Sequence, residues 1–167
     1  DVYKFDDRRI IAGRIECGAL RAGDTVLFSP SNKTAVVKSL ESWNAHEPIY
    51  AGHAGQSVGL TLDDQLFVER GEVISHVADP PVETTVFRGR IFWLADRPLA
   101  PGDSLTLKLH TLDTPVVVET IERVIDTGDL SHSAATAVHK HDVAEIVLRA
   151  RRMLPLDSYD DIPRLGR

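Results

Sequence analysis

The residues of this chain that could do chemistry fall into a few groups. His132, His139 and His141 lie close together, and His139 and His141 at i, i+2 would share one face of an extended segment, a possible metal-ligand spacing. No cysteine or acidic pair accompanies them in metal-site spacing, so a solvated polar loop is the favoured reading. Gly13-Arg14-Ile15-Glu16-Cys17-Gly18 matches G-x-x-x-x-G, but Ala19-Leu20 stands where a phosphate loop needs Lys and Ser or Thr. Without the lysine nothing reaches the phosphates, and without the hydroxyl nothing holds Mg²⁺. Asn32-Lys33-Thr34 begins like the guanine-reading N-K-x-D, yet Ala35 replaces the next element, and a hairpin loop fits better. Neither segment predicts GTP binding.

Asp6-Asp7, Asp63-Asp64 and Asp160-Asp161 are adjacent carboxylate pairs that would point to opposite faces of a strand, a poor acid/base arrangement. They read as turn and surface residues. No G-x-S-x-G is present. Cys17 could be a reactive thiol, and a core-facing barrel position is the preferred expectation. Arg149, Arg151 and Arg152, with Arg123 and Arg164, form the basic concentration of the chain. Arg149 and Arg151 would share a strand face. They could meet an acidic partner, a nucleic acid or only solvent, and the acidity of the rest of the chain favours a protein partner. No residue is assigned a catalytic, nucleotide-binding or metal-binding role.

The elements that must position these groups read as short strands. Arg9–Glu16, Thr25–Ser29, Thr34–Trp43, Gln56–Leu62 and Glu72–Val77 are separated by glycines, prolines and Asp-Asn-Ser clusters. Gly18 and Gly23 bracket Ala19–Ala22 as a reversal, and Leu62–Phe67 allows at most a helical turn. Asp79-Pro80-Pro81 predicts a stiff extended connector. After it come Thr84–Leu94, Leu105–Thr111, Val116–Ile125 and Ala144–Arg151, with Asp126–His141 as a polar loop. The expected fold is all-β: a first barrel over 1–78, a linker at 79–82 and a second barrel over 83–167.

Composition agrees with a folded chain, at 43% hydrophobic and 26% charged residues. A net charge of −6 argues against gripping a phosphate backbone as the main task. The single cysteine fits a reducing compartment. No apolar run approaches the roughly 18–20 residues of a membrane span, and the N-terminus has neither an apolar signal core nor Met, which predicts a cytoplasmic fragment of a longer protein.

Arg9–Asp24, Ala51-Gly52-His53-Ala54-Gly55-Gln56-Ser57-Val58-Gly59-Leu60 and Val68-Glu69-Arg70-Gly71-Glu72-Val73-Ile74 resemble the second domain of translation-factor-type GTPases such as elongation factor Tu. Asp1–Arg14, Phe28–Thr34, Lys38–Asn44, Phe87–Leu94, Val143–Arg152 and Asp157–Arg167 resemble, more narrowly, the large GTP-binding subunit of bacterial sulfate adenylyltransferase, also found fused to adenylylsulfate kinase. The resemblance implies two barrels of the translation-factor domain II and domain III type, following a GTPase domain that holds GTP and Mg²⁺. It implies that the second barrel is truncated before its last strand. The parent complex would make adenylyl sulfate and pyrophosphate from ATP and sulfate, driven by GTP hydrolysis, with adenylyl transfer on a separate small subunit. These barrels would be inactive alone and hold no cofactor, packing on the GTPase domain and coupling it to the small subunit. The alternative is the tRNA-binding barrels of an elongation factor. Cys17, where the family suggests a small polar residue, and the His-rich stretch 132–141 depart from the pattern.

Overall fold

The computed structural model describes residues 2–5, 8–42, 49–125, 132–133 and 136–163. Among them there are thirteen strands and no helix, so the helical turn expected over Leu62–Phe67 does not form. In chain order the strands are β1 (Val2–Phe5), β2 (Arg8–Arg14), β3 (Ala19–Arg21), β4 (Thr25–Ser29), β5 (Lys33–Glu41), β6 (Ala51–His53) and β7 (Ser57–Leu62). They continue with β8 (Val73–His76), β9 (Val82–Phe92), β10 (Ser104–Leu109), β11 (Leu112–Ile125), β12 (His132–Ser133) and β13 (Val143–Leu156). Two compact units result. The first comprises Asp1–Glu83, Leu109–Thr111 and Leu154–Arg167, and the second Thr84–Lys108 and Leu112–Met153. The sequence-based division had assigned all of 83–167 to the second barrel.

The first unit carries a six-stranded sheet in the order β1-β2-β7-β5-β4-β8 and a small β3-β6 pair. Ala19–Arg21 was expected to lie inside a reversal, but it is strand β3, with Leu20 opposite Gly52. Strand alternation puts Val26 and Phe28 of β4 and Ala35 and Val37 of β5 into a core with Ile11, Leu40 and Leu60. The switch from odd to even positions along β5 has a local cause: a bulge at Lys38, where Val37 faces Leu62 and Ser39 already faces Thr61. The motif glycines have steric work here. A Cβ on Gly59 would lie 2.7 Å from Ile10 Cγ2, and one on Gly52 2.8 Å from Ile15 Cδ1.

The second unit is a five-stranded sheet built on the path β10-β11-β13-β9, with β12 paired to β11. Val116, Val118, Val124, Ala144, Ile146, Leu148 and Ala150 are buried on its inner side. The polar stretch 126–141 is more than a loop where it is described. Ser133 pairs with Val124, and Val138, fully buried, bridges to Leu99.

The same four-residue turn leads into a strand at five places across the two units. In Arg21–Asp24, His53–Gln56, Glu69–Glu72, Ala100–Asp103 and His139–Asp142, the fourth residue's side chain accepts from the first residue's N–H, at 2.7, 2.7, 3.3, 2.9 and 2.8 Å. The fourth N–H donates back to the first carbonyl at 3.1–3.3 Å. The third residue has φ of 96°, 89°, 94°, 90° and 77° in turn, and is glycine in four copies and His141 in the fifth.

Candidate partner interface

The outward side of the second unit's sheet concentrates its charge. Along β13 the even residues Ala144 to Ala150 are buried, so Glu145, Val147, Arg149 and Arg151 point the other way. Arg149 and Arg151 therefore share a face, as alternation predicts. Arg152 is also exposed and makes an interaction of its own. Arg123 of β11 lies directly opposite Glu145.

Two bulges in β11 furnish two of the three counter-charges, the third being Glu145 of β13. Val118 faces Leu148 while Thr120 already faces Val147, and Ile121 faces Ile146 while Arg123 already faces Glu145. The extra residues are Glu119 and Glu122. Each pushes a second consecutive polar position onto the outer face, which explains the doubled exposed positions 119–120 and 122–123. Glu119 accepts from Arg149 Nη2 at 2.6 Å, and Glu122 from Arg88 Nη2 at 2.8 Å. Glu145 accepts from Arg123 Nε and Nη2 at 2.7 and 2.6 Å and from Arg90 Nη2 at 2.7 Å. Those bonds, Arg123's first and Arg90's second, pull the Glu145 carboxyl down from 4.5 to about 2. Hydrogen bonds to Glu122 and Glu145 push Arg88 and Arg123, respectively, above their ordinary value.

Sequence reading missed Arg88, Arg90, Glu119, Glu122 and Glu145. The signal for the first two was present in the alternation Phe87-Arg88-Gly89-Arg90-Ile91, which puts both arginines on one face of β9. Glu145 was equally within reach, since alternation along β13 puts it on the face of Arg149 and Arg151, whereas Glu119 and Glu122 become legible only once the bulges are known.

The other candidates scatter. Cys17 is exposed, contrary to the core-facing expectation, because it lies beyond the end of β2, where alternation no longer directs it inward. Partial burial, then Asp157, Asp79 and Glu16, push its thiol up, away from the reactive thiolate. Burial, then Asp79 and Asp161, likewise raise Asp157. His139 and His141 sit in the turn described above, with the His141 ring stacked on Phe92 at 6.3 Å between centroids. Among the described residues no three His, Cys, Asp or Glu side chains are placed to hold a metal. His132's side chain, Asp6-Asp7 and Arg164 lie outside the described residues. Gly18, with φ 66°, turns the chain after β2, so Gly13–Gly18 is strand and turn. Asn32, with φ 56°, lies in the β4–β5 hairpin. Asp63 caps the turn after β7, its Oδ1 accepting from Val36 N at 2.8 Å and Asp64 N at 3.0 Å. In the first unit a cleft of about 300 Å³ opens between β2, β5 and β7, with Arg9, Lys38 and Glu41 in its walls and the Ser39–Thr61 hydroxyl pair, 2.6 Å apart, at its base.

Comparison with known proteins gives this architecture its relatives. Residues 86–167 match the family described as GTP-eEF1A C-terminal domain-like. Across the chain there is 33% identity over 153 residues to sulfate adenylyltransferase subunit 1 of Methylorubrum populi, covering 92% of this chain and 32% of that protein. Elongation factor 1-alpha of Thermofilum pendens is 29% identical over 173 residues, covering all of this chain and 40% of that protein. A crystal structure of sup35 complexed with GDP superposes with a TM-score of 0.88 at 23% identity, over 100% of this chain and 41% of the other. The chain thus spans between about a third and two-fifths of these relatives. It has the two-barrel fold of the translation-factor type and is similar in sequence to sulfate adenylyltransferase subunit 1 and to elongation factor 1-alpha.

Proposed function

We propose that this chain forms the two non-catalytic barrels of the GTP-dependent large subunit of a sulfate adenylyltransferase, an assembly that makes adenylyl sulfate and pyrophosphate from ATP and sulfate in the cytoplasm. The observation that carries this reading is the match to subunit 1 of that enzyme over 92% of the chain. GTP and Mg²⁺ would belong to a GTPase domain outside this sequence. The barrels would pack on that domain and relay its nucleotide state to the small catalytic subunit as rigid bodies, the repertoire such all-β units support. The paired arginines of β13 make Arg149, Arg151 and Arg152 the candidate contacts to that subunit.

The test is capture of the small catalytic subunit on the immobilised chain. Retention of the small subunit at moderate salt is the expected result, and no retention ends the reading. The match to elongation factor 1-alpha over the whole of this chain favours a second reading, in which the barrels hold aminoacyl-tRNA. A filter-binding titration with tRNA decides between them: salt-sensitive saturable binding supports the second reading and its absence supports the first.

A further inference from the structure

We propose that the outer face of the β9–β13–β11 sheet, with the Phe92–His141 stack at its end, is the docking surface for a protein partner whose matching patch is rich in carboxylates. The inference rests on the reading that the chain works in a multi-subunit assembly, and it names the surface and the chemistry of the partner.

The first support is vertical order. The arginines stand above their glutamates: the Arg88 and Arg90 side chains are 67% and 68% exposed, whereas Glu122 and Glu145 are 33% and 13% exposed. An approaching surface meets guanidinium before carboxylate. Arg88, Arg123 and Arg149 bond their glutamates through Nε and Nη2, and Arg90 through Nη2, leaving Nη1 of each outside the described bonds. A guanidinium has five N–H donors, so it can keep its own glutamate and take a second.

The second support is imbalance. Among the described residues Arg88, Arg90, Arg123, Arg149 and Arg151 are set against Glu119, Glu122 and Glu145, with Asp113 of β11 matched by Lys108, so two positive charges remain on this patch of a chain whose net charge is −6. Arg151 is the exposed member for which no ion pair is described. Its neighbour across the sheet falls at Pro115, one step beyond the Val116–Ala150 pair, and proline brings no carboxylate.

The third support is composition. Arginine and aromatic residues are what protein interfaces collect, and Phe92, two residues beyond Arg90, is 53% exposed. His141 stacks on it at φ 77°, a backbone conformation that the four sister turns assign to glycine. A side chain kept where glycine would relieve strain points to a use for the ring. Nucleic acid fits less well, because the three glutamates lie beneath the arginines and would repel a continuous phosphate backbone, whereas a mixed-charge protein surface can address both layers.

The test uses the 167-residue chain and three probes: labelled poly-L-glutamate, a tRNA-sized RNA hairpin and the small catalytic subunit. Poly-L-glutamate should bind in a salt-sensitive way, and Arg151→Glu should weaken it about tenfold. Arg90→Gln/Arg151→Glu should weaken it further, while Arg21→Glu, in the first unit, should leave it unchanged. Arg151 has no described ion pair to lose, so its variant isolates the surface from folding. Binding indifferent to Arg151→Glu, or RNA bound more tightly than poly-L-glutamate, overturns the proposal. If poly-L-glutamate binds as expected and the small subunit does not, the surface stands and the sulfate-activation reading falls. If the small subunit binds and Arg151→Glu leaves it untouched, the reading stands and the surface falls.

Discussion

The two units use one backbone device for different ends. In the first, Gly23 donates to Val37 O at 2.8 Å and Val37 donates to Asp24 O at 2.9 Å. In the second, Gly102 and Asp103 bind Val118 at the same two distances. Both valines are buried, and both are followed at once by a bulge, at Lys38 and at Glu119. The backbones agree while the bulged side chains part company. Lys38 lines the wall of a cleft, whereas Glu119 anchors Arg149 on an outer face. A bulge fixes where a side chain is aimed, and the residue type decides what the aim accomplishes.

That comparison can be broken most forcefully at the core of one unit. Phe28, fully buried in the first, should cost about 3–5 kcal/mol as Phe28→Ala. In a Trp43→Phe background, which leaves Trp93 of the second unit as the single tryptophan, denaturant unfolding followed by fluorescence and by far-ultraviolet circular dichroism will show whether the units unfold together. Coincident shifts of both signals mean that one unit cannot lose its core alone, and separate transitions mean that each stands by itself. Gly59→Val comes next, at about 1–3 kcal/mol. Its Cβ would press on Ile10 Cγ2 at 2.7 Å and on Glu41 Cβ at 3.3 Å, neither of which is the end of a flexible chain. A midpoint shift below that range would mean that β2 and β5 yield more readily than their pairing implies.

The turns offer a smaller and more discriminating contrast. Gly102 has open space around its missing Cβ, so Gly102→Ala should cost about 1–2 kcal/mol through φ alone. His141→Gly removes that same strain at the expense of the ring's interactions, the Phe92 stack among them, and some chain entropy, so its melting temperature should stay level or rise. A loss as large as that of Gly102→Ala would show that the His141 ring outweighs its backbone. The smallest effect belongs to pH. Glu145 has a folded pKa of about 2 against an ordinary 4.5, so its contribution is fully present above pH 4.5 and is lost as pH falls through 2. In Glu145→Gln the dependence of melting temperature on pH should be flatter across that window, and an unchanged profile would show that Glu145 is not its source.

Much of this was legible in the sequence, for physical reasons that also mark the limit. Gly-Asp pairs betray turns because only a few residues tolerate positive φ, and Val26, Phe28 and Val37 betray a core because alternation is strict. Bulges leave no such mark. Val118-Glu119-Thr120-Ile121-Glu122-Arg123-Val124 spaces its apolar residues three apart, a rhythm nearer to a helix than to a strand. Alternation could therefore put Glu145, Arg149 and Arg151 on one face but could not find Glu119 and Glu122, the bulged glutamates that meet Arg149 and Arg88. Strand β3 escaped notice because three residues between two glycines are too few to show a period.

The five sister turns close through bonds spanning only three residues, whereas β2 must find β7 across most of a unit, Ile11 meeting Leu60. Closing a short loop forfeits little chain entropy, and closing a long one forfeits more. The reversals are therefore decided early and locally, and the slow part of assembly is the search of strands already bent towards their partners. In that sense the turns serve as this chain's memory of its topology, present before there is any core to enforce it.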